Sequence, residues 1–331
     1  MPADTCEGVF ANKLWSWISK NFRIDGVVTF DSKATPFPGV DTNVIVFLIS
    51  NKKPKNKIKW VRCLVPGGTE LLHLLQNDLK SKSIKNLEIY ERKLEEALSV
   101  GLSRLPLNEY VFKYRLTHFA RVMRGVATGA NDFFFLTQKR VEEIGLPPEL
   151  LVRAVGRTRD AMEDSITLAT LTNLEQKGRP TFLFSPLHCQ LEDMSSAARA
   201  YLLEGERMGL AKRALISTRK PWYKMESRNA PPFLFAYLGR RNARFIKNEA
   251  GVVPLTGFLC VYPLSDDEKY IQKLWQILQH PKIVANLSLV GKSYGSGAIK
   301  VEPRSLERLP IDADLVKKIG IRPPKQELFN T

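Results

Sequence analysis

Apolar and polar positions follow two rhythms along this chain. Residues 7 to 22, EGVFANKLWSWISKNF, put Phe10, Leu14, Trp17 and Ile18 at helical spacing; RIDGVVTF (23 to 30) and TNVIVFLIS (42 to 50) then read as strands around the loop DSKATPFPG. One helix and two strands cannot enclose a core, so these residues predict a fragment of a larger α/β sheet. A lysine-rich turn, NKKPKNKIKW (51 to 60), and the segment GGTELLHLLQNDLK come next. Leu87, Tyr90, Leu94 and Leu98 then mark one face of a charged helix between Ile84 and Val100, and the region reads as a connector. From about residue 108 the pattern changes to short β-like runs, DFFFLT, TFLFSPL, FLFAYL and TGFLCVYPL, punctuated by Pro and Gly and separated by helical pieces. Ser265 to Glu268 form a capping box before Ile271, Leu274, Trp275 and Leu278, a stripe suited to a core. The tail IRPPKQELFNT reads as a loose end.

Composition sharpens this outline. At 331 residues and 44% hydrophobic, the chain can bury a sizeable core in two domains or in one domain with an attached lobe. It has no apolar run of membrane-spanning length, and MPADTCEGVF lacks the basic and apolar regions of a signal peptide, so a cytoplasmic protein without membrane contact is expected. Cys6, Cys63, Cys189 and Cys260 lie far apart with no Cys-x-x-Cys, which suggests neither a disulfide framework nor a zinc site. The adjacent pair His188-Cys189 is a poor chelate, and no metal is expected. Lys and Arg number 50 against 34 Asp and Glu, a net charge of +16, which favours a polyanion and makes nucleic acid the leading partner.

Three stretches carry candidate chemistry. NLSLVGKSYGSGAIKVEP (286 to 303) contains Gly-Lys-Ser, but a phosphate loop needs a glycine where Asn286 stands, and Gly295-Ser-Gly297 leads into no helix pattern. In residues 217 to 248, Arg219, Lys220, Lys224, Arg228, Arg240, Arg241, Arg244 and Lys247 face the single acid Glu226, with Trp222, Tyr223 and Tyr237 interleaved. Such cations neutralise phosphates, and planar side chains pack on sugars or bases or belong to the core. The third stretch, FARVMRGVATGANDFFFLT (119 to 137), places Gly125 and Gly129 around a turn that either admits a ligand close to the backbone or is an ordinary β-turn.

RGVATGANDFFFLT, KPWYKMESRNAPPFLFAYLGRRNARFIKNEA and GKSYGSGAIKVEPRSLERLPI, in that order, resemble segments of the gamma-class N6-adenine DNA methyltransferases of restriction-modification systems, particularly the Eco57I-like branch. The resemblance implies that these segments form a C-terminal target recognition domain and that FPGVDTNVIVFLI belongs to the strand pair closing the family's catalytic sheet. It also implies that Phe37 packs on an adenine flipped out of the duplex, where an aromatic wall restores part of the lost stacking; a Phe that plugs its loop onto the sheet is the alternative. The chain departs from the family in lacking the glycine-containing S-adenosylmethionine loop and the Asn/Asp-Pro-Pro-Tyr/Phe motif. Its Pro-Pro pairs at 147, 231 and 323 follow Leu, Ala and Arg.

These readings predict an α/β chain. Residues 1–65 would be the C-terminal edge of a Rossmann-like methyltransferase sheet, 66–108 a helical connector and 109–331 a mixed α+β target recognition domain. The expected function is duplex DNA binding and site choice within an adenine-N6 methyltransferase, with S-adenosylmethionine bound by an upstream catalytic segment or subunit. Lys292, Ser293, Tyr294 and Lys300 are expected on phosphates, Arg240, Arg241, Arg244 or Asn131 on base edges, and Arg124, Arg219 and Lys220 as further DNA contacts. A stand-alone DNA specificity subunit is the alternative. A nuclease would need Glu163, Asp164, Glu302 and Lys300 gathered around Mg²⁺, and an RNA-binding module lacks an RNP-like string or a GXXG clamp.

Overall fold

A computed structural model describes residues 1–6, 11–31, 34–37, 43–81, 83–104, 113–187, 189–237, 243–293 and 299–324. The chain divides into two units, Met1–Val111 with Lys292–Lys300, and Phe112–Gly291 with Val301–Thr331. The first unit runs α1 (Ala11–Asn21), β1 (Arg23–Phe30), β2 (Ile45–Ser50), β3 (Lys57–Cys63), α2 (Thr69–Gln76), β4 (Leu87–Lys93) and α3 (Leu94–Val100). Its sheet has the order β2-β1-β3-β4, with β1 and β3 parallel and both outer strands antiparallel to their neighbours.

Alternation along these strands fills both faces of the sheet. Ile24, Ile45, Ile58 and Trp60 pack with Trp15 and Ala97, while Val28, Val61 and Cys63 pack with Leu74 and Leu79 on the other side. Each buried indole also finds an acceptor: Trp60 Nε1 donates to the Leu102 carbonyl at 3.1 Å, and Trp15 Nε1 to that of Thr5 at 3.0 Å.

Two sequence expectations change here. The helix anticipated over 84–100 is strand β4 followed by α3, because Leu87 and Ile89 serve one face of the sheet and Tyr90 the other. Their spacing imitates a helical stripe only because a strand covered on both faces is apolar at odd and even positions. Where a helical connector was anticipated over 66–108, the described residues of that span include the strand β4 and the helices α2 and α3 of the first unit. In α1 the inward face is Ala11, Trp15 and Ile18, an i, i+4, i+7 set; Leu14 and Trp17, which the spacing grouped with Ile18, are 48% and 58% exposed. Phe10 lies outside the described residues.

Among the described residues the β2 edge of this sheet is paired at its first residue and left open beyond it. The backbone of Ile45 is paired outward with Met1, whose carbonyl accepts the Ile45 N–H at 2.9 Å and whose amino group donates to the Ile45 carbonyl at 3.0 Å. Beyond Ile45 no described strand pairs with the outer side of β2, and Val46 and Ile49 are 39% and 44% exposed.

In the second unit the strands are β5 (Tyr114–Arg115), β6 (Ala120–Arg124), β7 (Phe135–Leu136), β8 (Leu151–Val155), β9 (Ser165–Ile166), β10 (Phe182–Phe184), β11 (Phe233–Ala236), β12 (Arg244–Asn248), β13 (Val253–Pro254) and β14 (Phe258–Pro263). The hairpin β15 (Lys292–Ser293) and β16 (Ile299–Lys300) clusters with the first unit, and β17 (Pro310–Ile311) pairs with β5. Helices α4 (Asn131–Phe134), α5 (Gln138–Ile144), α6 (Leu168–Gln176), α7 (Ser196–Arg207), α8 (Glu268–Leu278), α9 (Pro281–Ala285), α10 (Pro303–Glu307) and α11 (Ala313–Ile319) complete it. A five-stranded sheet, β6-β14-β11-β12-β9, and a four-stranded one, β13-β8-β10-β7, carry the architecture. The protein is thus a mixed α/β fold with several sheets.

The anticipated strand DFFFLT begins as the one-turn helix α4, which buries Phe133 and Phe134, and becomes strand only at Phe135. Helix α8 buries Leu274 and Leu278, and Trp275 stacks on Phe233 with centroids 5.2 Å apart. Its N-cap is Asp267, which accepts the Tyr270 N–H at 3.0 Å, so the start lies two residues later than a Ser265 capping box requires.

Candidate nucleic-acid interface

The site grows from the end of β6. This strand alternates buried Ala120 and Val122 with exposed Arg121 and Met123, then ends on exposed Arg124. Gly125 follows at a place where nothing larger fits: an added Cβ would lie 2.1 Å from the Leu255 carbonyl oxygen. The close approach that glycine allows here is to the chain's own backbone, whereas the sequence left open a ligand. Val126 N–H then donates to the Pro254 carbonyl at 2.9 Å. Gly129 has φ of +78°, and a Cβ there would meet Ile216 at 2.7 Å.

Two arginines from the 213–219 segment hold this loop. Arg219 Nη2 donates to the Ala127 carbonyl at 2.6 Å, and Arg213 Nη1 reaches that of Gly129 at 3.5 Å. Burial draws the Arg219 pKa down and the Glu226 carboxylate draws it back up, but a guanidinium so far above neutrality keeps its charge. Within the loop, Thr128 Oγ1 donates to Asn131 Oδ1 at 2.5 Å and accepts the Ala130 N–H at 3.1 Å. One lone pair of the Asn131 amide oxygen is thereby used, and the residue remains exposed. Lys220 is exposed directly after Arg219.

The third sequence string joins the same strand. Glu302, the N-cap residue of α10, pairs with Arg124 Nη2, and Glu307 at the far end of α10 accepts the Val122 N–H at 2.9 Å. Arg228 closes the group, with Nη1 3.3 Å from Met123 Sδ and Nη2 2.8 Å from Glu226 Oε2. Beside them Tyr237 donates its hydroxyl to the Thr256 carbonyl at 2.8 Å. Its phenol pKa is raised by burial first and by Glu302 second, against the opposing pull of Arg124.

The other anticipated residues fall elsewhere. Arg244, at the start of β12, is half-buried and donates Nη2 to the Ala161 carbonyl, so its guanidinium serves the fold where base reading was anticipated. Trp222 and Tyr223 are core residues: Trp222 packs 6.0 Å from Phe133 and 6.1 Å from Phe134, and Tyr223 is 5% exposed. Phe37, in the loop after β1, is 54% exposed, and its N–H lies 3.3 Å from Thr35 Oγ1; an exposed ring does not plug the loop onto the sheet. Lys292 and Lys300 occupy opposite positions of the β15–β16 hairpin, with Ser293 opposite Ile299. Arg240, Arg241 and Tyr294 lie outside the described residues, as does His188. Among the described residues no group of three His, Cys, Asp or Glu could hold a metal ion, and Glu302, weighed as a metal ligand, faces Arg124. No helix among them is long and apolar enough to cross a membrane.

Sequence reasoning passed over Arg213 and Glu307 and gave Glu302 a different role. No local signal marks them: Glu307 meets a strand 185 residues away, and Glu302 pairs across 178.

Residues 107–327 match the family model of the Type II methyltransferase M.Eco57I, C-terminal domain. The chain belongs to that family. This C-terminal-domain chain is also 28% identical over 327 residues to the Type II methyltransferase M.AccI of Acinetobacter calcoaceticus, an alignment that covers 96% of this chain and 59% of that protein. Among solved structures, the type IIL restriction-modification enzyme MmeI in complex with DNA aligns with a TM-score of 0.49 and 11% identity, over 96% of this chain and 37% of that one. The type IIG restriction endonuclease BpuSI aligns at 0.39 and 17%, over 97% and 41%. As part of a type II restriction-modification methyltransferase family, the chain spans little more than half of the relative it matches in sequence.

Proposed function

We propose that this chain binds duplex DNA and selects the target site for a type II adenine-N6 DNA methyltransferase of a restriction-modification system. The observation that carries the proposal is the convergence of three distant strings: β6 with the 124–131 loop, the 213–228 segment and α10 meet through Arg219, Arg213, Arg228 and Glu302. Loop and strand backbone are held rigidly there, while Arg124, Lys220 and Asn131 stay exposed. Rigid backbone with exposed cationic side chains suits phosphate contacts, which set register, together with a few base contacts, which set sequence. Lys292 and Lys300, opposite one another in their hairpin, are proposed as further phosphate contacts, and Phe37, exposed in its loop, as the wall for a flipped adenine.

The methyl donor of the complete enzyme would be S-adenosylmethionine, but these residues do not fit it. Among the described residues both faces of the first unit's sheet carry buried apolar side chains. We assign the donor's site to another segment or subunit, and the outer side of β2, with Val46 and Ile49 exposed, is where its sheet would continue. The stand-alone specificity subunit draws support from that same two-sided packing. A monomer in sedimentation that recruits no catalytic segment would favour it.

The test of DNA binding is fluorescence anisotropy of a labelled duplex against the full chain at rising KCl. Affinity should fall steeply with salt, and Lys220→Ala should lower it on every duplex and reduce the log–log slope by about 1, as the loss of one phosphate contact does. Absence of duplex binding at low salt would overturn the proposal.

A further inference from the structure

Arg124 combines exposure with fixation. Its side chain is 66% exposed, and among the described residues the acceptor it meets is Glu302, itself 34% exposed. The pair is set between two stiff elements. Arg124 ends strand β6, where Gly125 is locked against Leu255, and Glu302 begins α10, whose other end is fastened to the same strand by the Glu307 bond to the Val122 N–H. Tyr237 stands near enough to feel both charges. An exposed ion pair contributes little to stability, so its value lies in where it holds the guanidinium. One donor, Nη2, is spent on the carboxylate. The rest of the fork, which carries five N–H groups in all, is left to approach a ligand, and a planar pair of donors matches the O6 and N7 acceptors of guanine in the major groove.

We infer that Glu302 is a positioning residue that aims Arg124 at one guanine of the target site, making this pair a specificity determinant of the second unit. The inference rests on the proposed DNA-binding role and deepens it. It differs from a phosphate contact, which any cation supplies and which carries no base preference. Lysine keeps the charge of arginine but lacks the fork, so the two roles separate at this position.

The experiment uses the full chain and a pool of duplexes with randomised bases, selected by binding and sequenced, with wild type beside Glu302→Ala, Glu302→Gln and Arg124→Lys. Thermal melts establish that each variant is folded. Wild type should enrich a motif containing a guanine whose preference drops roughly ten-fold or more in Arg124→Lys and Glu302→Ala. Glu302→Gln, which keeps an acceptor, should fall between, with every other position and the salt slope unchanged. Glu302→Gln and Arg124→Lys keep the test open if Glu302→Ala fails to fold. Unaltered preference at all positions in the variants, or a uniform loss across them, would overturn the inference while leaving DNA selection by the chain intact. Wild type that bound duplex without enriching any base would overturn it too; wild type that bound none would overturn the proposed function itself.

Discussion

Two edge strands of this protein are finished in opposite ways. Among the described residues the outer side of β2 is paired only at Ile45, and the residues beyond include exposed Val46 and Ile49, with Leu14 and Trp17 exposed on α1 of the same unit. The edge of β6, by contrast, is closed at Val122 by the Glu307 carboxylate and carries exposed Arg121 and Arg124. An open edge with apolar neighbours is a template for another strand, and charge on an edge discourages strand addition. The first edge is therefore left able to take a further strand, and the second is not.

Changing each edge in turn tests that contrast, and the largest effect is expected at Gly125. A Cβ there must displace the Leu255 carbonyl, so Gly125→Ala should cost about 3 kcal/mol, the upper end of overpacking, and carry Arg124 out of place. A thermal melt and the duplex affinity should fall together; a variant that lost stability but bound duplex as before would detach the β6 edge from DNA. Glu307→Ala comes next. It leaves the Val122 N–H without its acceptor and should cost about 1–2 kcal/mol, seen in denaturant titration and as faster hydrogen exchange at that amide. If exchange at Val122 stayed slow, the carboxylate would not be what closes the edge. The smallest effect on stability belongs to Ile49→Lys, a surface change within about 0.5 kcal/mol. Its effect should be on association, since a lysine beside open backbone discourages strand addition; light scattering at rising concentration should show less self-association than wild type. An identical scattering profile would mean that the β2 edge is not a docking surface.

Much of the framework is legible in the sequence. β1 and β2, the core strands β10, β11 and β14, and much of the stripe of α8 follow from short apolar runs and helical spacing, because those patterns report on the element itself. Strand β4 and the rotation of α1 were misread where apolar residues occupied more than one face. In those cases periodicity alone cannot say which face the neighbours will cover. The candidate site was legible only in part. Arg124, Asn131 and Lys220 are exposed, as a partner surface requires, but Arg219 and Arg244, equally basic in the sequence, are turned to the Ala127 and Ala161 carbonyls.

By itself, then, the sequence determined the basic charge, the family-specific strings, the missing donor loop and most elements, since each is a property of composition or of short-range spacing. Only the tertiary structure decided which cations are spent on carbonyls and which stay exposed, that Glu302 faces Arg124, and that among the described residues the β6 edge is closed at Val122 while the β2 edge is open beyond Ile45. The physical reason is separation along the chain: contacts spanning 84 to 185 residues depend on where folding brings the backbone, and no local pattern encodes that meeting.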